Sequence, residues 1–147
     1  MTSQKPGYLR PTNLAAASAR EFWRGLAAGR LLARRCLDCG CRYFPPRDRC
    51  PECLGARLDW VELPPRGTLH SWTVVHMSSA ELDTPFVLGL VDLDEGVGRL
   101  TAPIVDAPPA ALRVGMPARL RFERRGEDLG LCSIAVEVES PGRVGSR

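Results

Sequence analysis

Cys36-Leu37-Asp38-Cys39-Gly40-Cys41-Arg42-Tyr43-Phe44-Pro45-Pro46-Arg47-Asp48-Arg49-Cys50-Pro51-Glu52-Cys53 is the stretch on which the fold turns. Two Cys-x-x-Cys pairs separated by ten residues let two tight knuckles each offer two thiolates to one tetrahedral ion, so Cys36, Cys39, Cys50 and Cys53 are the expected metal ligands. Gly40 and Gly55 are expected to supply the positive φ that turns backbone N–H groups toward the sulfurs. Four protein ligands leave no position for water or substrate, which makes the metal structural. Zinc suits the site; a rubredoxin-like iron has the same geometry and stays open. Cys41 is a possible substitute for Cys39, although the x-x spacing favours Cys39. Arg34, Arg35, Arg42, Arg47 and Arg49 lie close enough in sequence to offset the charge of four thiolates.

Working outward, Pro11-Thr12-Asn13 offers a helix start with Thr12 or Asn13 as cap. From Leu14 to Ala28, the residues Leu14, Ala15, Ala19, Phe22, Trp23, Leu26 and Ala27 fall on one face at helical spacing, and Gly29 ends the helix. That face either packs on its own domain or presents Phe22 and Trp23 to a partner. Strands are expected over Arg30–Arg35, Arg42–Pro46 and Leu58–Leu63, a ribbon too small to stand without its ion. Pro64-Pro65-Arg66-Gly67 is a turn, and the pattern then becomes strand after strand: Thr68–His76, Phe86–Leu93, Arg99–Val105, Ala118–Arg124 and Leu131–Glu139. In the first of these, strict alternation puts Leu69, Ser71, Thr73 and Val75 on one side and His70, Trp72, Val74 and His76 on the other. Five short strands with one longer connection fit a closed OB-type barrel. The chain therefore reads as mainly β, divided into an N-terminal helical segment (1–29), a rubredoxin-like ribbon (30–66), a five-stranded OB-fold barrel (67–140) and a disordered tail (141–147).

The totals narrow the function. The 147 residues suffice for one ordinary domain or two small ones, and no apolar run is long enough for a membrane helix. With no secretory leader, and six cysteines of which four stand in metal spacing, a reducing, cytoplasmic setting is expected. The formal charge of +3 divides into +6 over Met1–Arg66 and −3 over Gly67–Arg147. Single-stranded nucleic-acid binding is the alternative use of a ribbon and an OB barrel, and the net-acidic barrel half weighs against it. His70 and His76 read as packed or surface residues, and Cys132 as a small buried hydrophobe without a base beside it. No Gly-x-Ser-x-Gly elbow, phosphate loop or His-Glu-x-x-His site occurs, so no catalytic residue is assigned.

The order of parts resembles a known family. Glu21-Phe22-Trp23 and Gly25-Leu26 lead into Gly29-Arg30-Leu31-Leu32 and Arg35-Cys36-Leu37-Asp38-Cys39-Gly40. Phe44-Pro45-Pro46-Arg47 and Cys50-Pro51-Glu52-Cys53 follow, then Gly67-Thr68-Leu69-His70-Ser71-Trp72 and Gly89-Leu90-Val91-Asp92-Leu93-Asp94-Glu95-Gly96 in the barrel. From about Ala19 to Glu139 this is similar to the zinc-ribbon plus OB-fold proteins first catalogued as domain-of-unknown-function family thirty-five and associated with acyl-CoA metabolism. The resemblance implies structural Zn²⁺ on the four cysteines. It also implies a non-catalytic scaffold role beside a thiolase-superfamily enzyme: a thiolase, an acyltransferase or a thiolase-like aldolase, including those of steroid side-chain degradation. The complex would be heteromeric, built around a dimer, with acyl-CoA as a shared ligand. Such a ligand needs cations for its phosphates and a flat surface for its adenine. Arg42, Arg47 and Arg49 with Trp23, Tyr43 and Phe44 are the nearest set, and Phe22 joins them as a partner contact. Packing of Phe44-Pro45-Pro46 on the helix, with the arginines offsetting the metal, is the competing role.

Overall fold

A computed structural model describes residues 17–78 and 83–137. The expected cap at Thr12 or Asn13, the helical positions Leu14 and Ala15, residues 138–139 of the last strand and the tail lie outside the described residues. Helix α1 spans Ala17–Ala27. Its end is built by Gly29 at φ 76, with the Arg30 N–H reaching the Gly25 carbonyl at 2.8 Å and the Gly29 N–H reaching that of Leu26 at 3.1 Å. Those two bonds satisfy carbonyls that the last turn otherwise leaves orphaned. Phe22 and Leu26, four residues apart, point inward and are buried.

The ribbon is a three-stranded antiparallel sheet in the order β2-β1-β3, with β1 at Leu31–Cys36, β2 at Arg42–Tyr43 and β3 at Leu58–Leu63. The edge strand β2 is shorter than the Arg42–Pro46 expected. Two prolines bring no N–H to a ladder, and the N–H of Phe44 is instead donated to the carbonyl of Val97, across on the barrel, at 2.8 Å. The chain leaves the ribbon at Phe44 in order to dock it.

The barrel closes in the order β4-β5-β6-β8-β7, from β4 (Arg66–Val75), β5 (Phe86–Leu93), β6 (Arg99–Ile104), β7 (Pro117–Arg124) and β8 (Gly130–Val136). Closure comes from β4 on β7, Gly67 opposite Ala118, and from a parallel contact of Ile104 with Ile134. The expected alternation of β4 fails at one place. A β-bulge between Leu69 and Ser71 shifts the pairing with β5, so that Leu69 shares the inner side with Trp72 and Val74, while Ser71 and Thr73 are exposed. One inserted residue reverses the faces of all that follow. His76 lies beyond the strand and is exposed.

One apolar cluster runs through the molecule: Phe22 and Leu26 of the helix, Leu31, Ala33 and Leu63 of the ribbon, and Leu69, Val91, Leu100, Leu120 and Ile134 of the barrel. The helix thus packs on its own chain. Close approach is enforced by glycine at Gly130, where a Cβ would stand 2.1 Å from the Ala27 nitrogen. A second, small cluster of Cys36, Tyr43 and Cys50 lies at the far end of the ribbon. No described helix is long and apolar enough to cross a membrane.

Candidate metal centre and the ribbon–barrel seam

The four cysteines of the two knuckles converge, their sulfurs all within 4.8 Å of one another. Cys36 Sγ lies 3.5 Å from Cys53 Sγ, and Cys39 Sγ 3.6 Å from Cys50 Sγ. A tetrahedral ion with bonds of about 2.3 Å needs sulfurs about 3.8 Å apart, so the donor set fits zinc in both number and spacing. Each knuckle is closed by one backbone bond, Gly40 N–H to the Cys36 carbonyl (2.9 Å) and Leu54 N–H to the Cys50 carbonyl (3.0 Å). Gly40 has the positive φ expected of it, at 76°, but in the second knuckle that conformation falls on Leu54, at 61°, and not on Gly55. Gly55 is required for room: a Cβ there would come within 2.5 Å of the Asp38 carboxylate and 3.2 Å of Cys53 Sγ.

Without an ion, protons must be divided among crowded sulfurs. The Cys53 backbone N–H aimed at its sulfur holds the Cys50 thiol down at about 7, against the opposing effect of desolvation. Cys53 accepts from the Gly55 N–H, yet the neighbouring sulfurs of Cys36 and Cys39 push it up to about 12. Cys36 and Cys50 are buried and Cys39 and Cys53 exposed, so the cluster has an inner and an outer edge. Cys41 stays outside the four and donates to the Arg42 carbonyl at 3.6 Å. Cys132 is half-buried rather than buried, on the barrel, its thiol pushed up to about 11 by desolvation.

The other sequence-selected residues go two ways. Phe22 and Tyr43 are interior; Phe22 meets Trp23 edge-on at 5.1 Å and Phe44 at 5.5 Å, and the Tyr43 hydroxyl donates to the Arg47 carbonyl at 3.3 Å. Trp23 and Phe44 are half-buried. Arg42 and Arg34 are spent on structure, Arg42 paired with Glu95 on the barrel and Arg34 lying 4.0 Å over the ring of Trp60, whereas Arg49 donates to the Leu54 carbonyl at 3.3 Å. Arg47 is exposed.

Sequence inspection missed the seam where ribbon meets barrel. Asp92 receives Arg99 Nε at 2.6 Å and His70 Nδ1 at 2.8 Å, and Arg66 reaches Asp94 at 2.8 Å. The Arg99 guanidinium, helped by His70 and opposed by desolvation, holds the Asp92 carboxyl below its ordinary range. Beside them a shallow groove of about 560 Å³ is lined by Phe44, Pro45, Asp92, Leu93, Gly98 and Arg99. The His70–Asp92 pair joins residues on neighbouring strands, so hairpin pairing of β4 and β5 was the available signal, obscured by the bulge. On the outer side of β4, β5 and β6 a smaller groove of about 260 Å³ runs between Ser71, Thr73, Leu88, Leu90 and Thr101, with no cation among its lining residues.

Comparison with known proteins follows the same division. Residues 23–59 match the family described as the ChsH2 rubredoxin-like zinc ribbon domain, and residues 60–123 the ChsH2 C-terminal OB-fold domain. A DUF35 domain-containing scaffold protein of Methanocaldococcus jannaschii is 34% identical over 101 residues, 67% of this chain and 71% of the relative. The benzoylsuccinyl-CoA thiolase subunit BbsA of Thauera aromatica is 36% identical over 74 residues, 50% of this chain and 51% of the relative. Among solved structures, a chain of the Ltp2–ChsH2(DUF35) aldolase superposes with a TM-score of 0.76 at 28% identity, covering 86% of this chain and 98% of that one.

Proposed function

Since the chain belongs to the DUF35 family of scaffold proteins, with the zinc ribbon and OB-fold of the ChsH2 type, we propose that it is a non-catalytic accessory subunit of a thiolase-superfamily enzyme. The observation that carries this reading is the likeness, over nearly the whole of the matched chain, to a component of the Ltp2–ChsH2(DUF35) aldolase. The thiolase-subunit name of the Thauera relative supports the same class of partner. The chemistry of the site agrees: a tetrathiolate centre is closed to substrate, so zinc on Cys36, Cys39, Cys50 and Cys53 holds the ribbon in shape and the partner supplies the reaction.

Acyl-CoA is the proposed shared ligand, and the acyl chain, steroid or otherwise, is set by the partner. Of the residues selected for this contact, Arg47 and the rim formed by Phe44 are within reach of a ligand from outside, whereas Phe22 acts from the interior by packing on Trp23 and Phe44, and Tyr43 is interior at the tip of the ribbon. The cation-free groove on the outer β4–β5–β6 side weighs against nucleic acid, whose phosphates need arginine or lysine beside the stacking rings.

The test is affinity capture of the tagged full chain from its own cells, with mass spectrometry. Recovery of a thiolase-superfamily enzyme in near-equal amount is expected. Recovery of nucleic acid or its machinery in place of such an enzyme overturns the proposal. Calorimetry of acyl-CoA with the captured complex and with the chain alone then measures the ligand contribution.

A further inference from the structure

Two residues other than glycine stand in the left-handed region among the described residues, Leu54 at φ 61 and Glu95 at φ 65. For Glu95 the molecule has a use: its carboxylate pairs with Arg42 and ties the barrel to the ribbon. Leu54 has no such contact, because its side chain is 69% exposed. Its place corresponds to Gly40 in the first knuckle, each N–H closing back on the carbonyl of the first cysteine. Glycine meets that conformation at far lower cost than leucine. A strained residue that also leaves a large apolar side chain in water gains nothing within this chain.

Leu54 is not isolated. The Cys36 and Cys53 sulfurs are 3.5 Å apart, and each of these cysteines is followed at once by an exposed leucine, Leu37 at 54% and Leu54 at 69%. Each leucine is bordered by an arginine. Arg49 donates to the Leu54 carbonyl at 3.3 Å, and the Arg57 carbonyl accepts the Leu37 N–H at 2.9 Å. Arg57 pairs with Asp38, while Arg49 has no carboxylate partner among the described residues, which leaves its charge for a partner.

We propose that Leu37 and Leu54, at the outer edge of the metal knuckles, anchor the partner enzyme by entering an apolar pocket whose rim presents a carboxylate to Arg49. The inference rests on the accessory-subunit reading and names the surface that reading requires. Burial of one leucine at such a contact changes affinity about tenfold or more.

The experiment uses full-length Leu54→Gly, Leu54→Asn and Leu37→Ser with the thiolase-superfamily enzyme that the wild-type chain captures. Leu54→Gly is expected to retain its zinc and to melt about 2–4 °C higher, as strain is relieved, while binding the enzyme about tenfold or more weakly. That opposition of stability and binding is not produced by a merely structural role. Leu54→Asn keeps a residue that tolerates the conformation, and Leu37→Ser leaves the strain untouched; both are expected to weaken binding with zinc retained. Wild-type capture with undiminished binding by all three variants overturns this proposal and leaves the accessory reading standing. Absence of any such enzyme from the wild-type capture overturns both. Loss of concentration-dependent self-association instead of enzyme binding gives the edge to a second copy of the chain and overturns the proposal.

Discussion

Gly98 is the residue against which the ribbon is seated. Its φ is 144, and a Cβ would lie 2.3 Å from the Phe44 carbonyl oxygen, so Gly98→Ala meets both strain and a backbone clash. Urea denaturation is expected to show a loss of about 2 kcal/mol, with Gly126→Ala, in open space, near zero as the control. Asp92 beside it makes stability depend on pH. Arg99 lowers its folded-state pKa, so the folded chain favours the carboxylate. The contribution is therefore full above the unfolded value and is lost as pH falls through the lower folded one, a window below about pH 4. Thermal melts from pH 6 to pH 3 are expected to fall less steeply for Asp92→Asn than for wild type. A steeper fall in the variant contradicts the assignment. Asp92 is partly exposed, which keeps the effect small.

At the scale of elements, the ribbon has two ends with different supports. Leu31, Ala33 and Leu63 at its base belong to the main apolar cluster, whereas Cys36, Tyr43 and Cys50 at its tip form a cluster of their own. Burial against helix and barrel holds the first set, and a metal on the four cysteines would hold the second. Chelation is expected to raise amide hydrogen exchange over residues 36–57 by orders of magnitude while Leu31–Ala33 and the barrel strands stay protected. Uniform deprotection of the barrel would show that the ion supports the whole fold. The same division was only half legible from sequence. Cysteine spacing identifies the knuckles, and a run of apolar β-formers closed by the turn at Asp94-Glu95-Gly96 identifies β5 as Phe86–Leu93 to the residue. The length of β2 was not legible, because Phe44 leaves the sheet for a bond to Val97, 53 residues away. Nor was the bulge in β4 read: the apolar phase does move from Leu69 to Trp72 and Val74, but Val75 keeps the unbroken alternation equally compatible with the pattern.

At the scale of the whole molecule, a core continuous through helix, ribbon and barrel makes one cooperative unit of parts that composition separates at Gly67. Trp23, Trp60 and Trp72 lie one in each part. In the zinc-loaded protein, fluorescence of single-tryptophan variants is expected to report coincident unfolding midpoints. Leu26→Ala, deleting a fully buried side chain from the helix, is expected to lower all of them together by about 3 kcal/mol. Separate transitions for Trp60 and Trp72 would restore two independent domains.

The amino-acid sequence by itself determined what depends on neighbours along the chain: the paired-cysteine spacing, the helix and its glycine stop, and the strand count of the barrel. Spacing and periodicity encode these because each is a local match of side chain to backbone repeat. Only the tertiary structure decided what depends on residues meeting from afar. It placed Phe22 and Tyr43 in the interior, spent Arg42 on Glu95, joined His70 to Asp92, and left Leu37 and Leu54 exposed at the edge of the metal site. Burial and ion pairing are set by the packing of whole elements, and a sequence window contains one partner of each pair without the other.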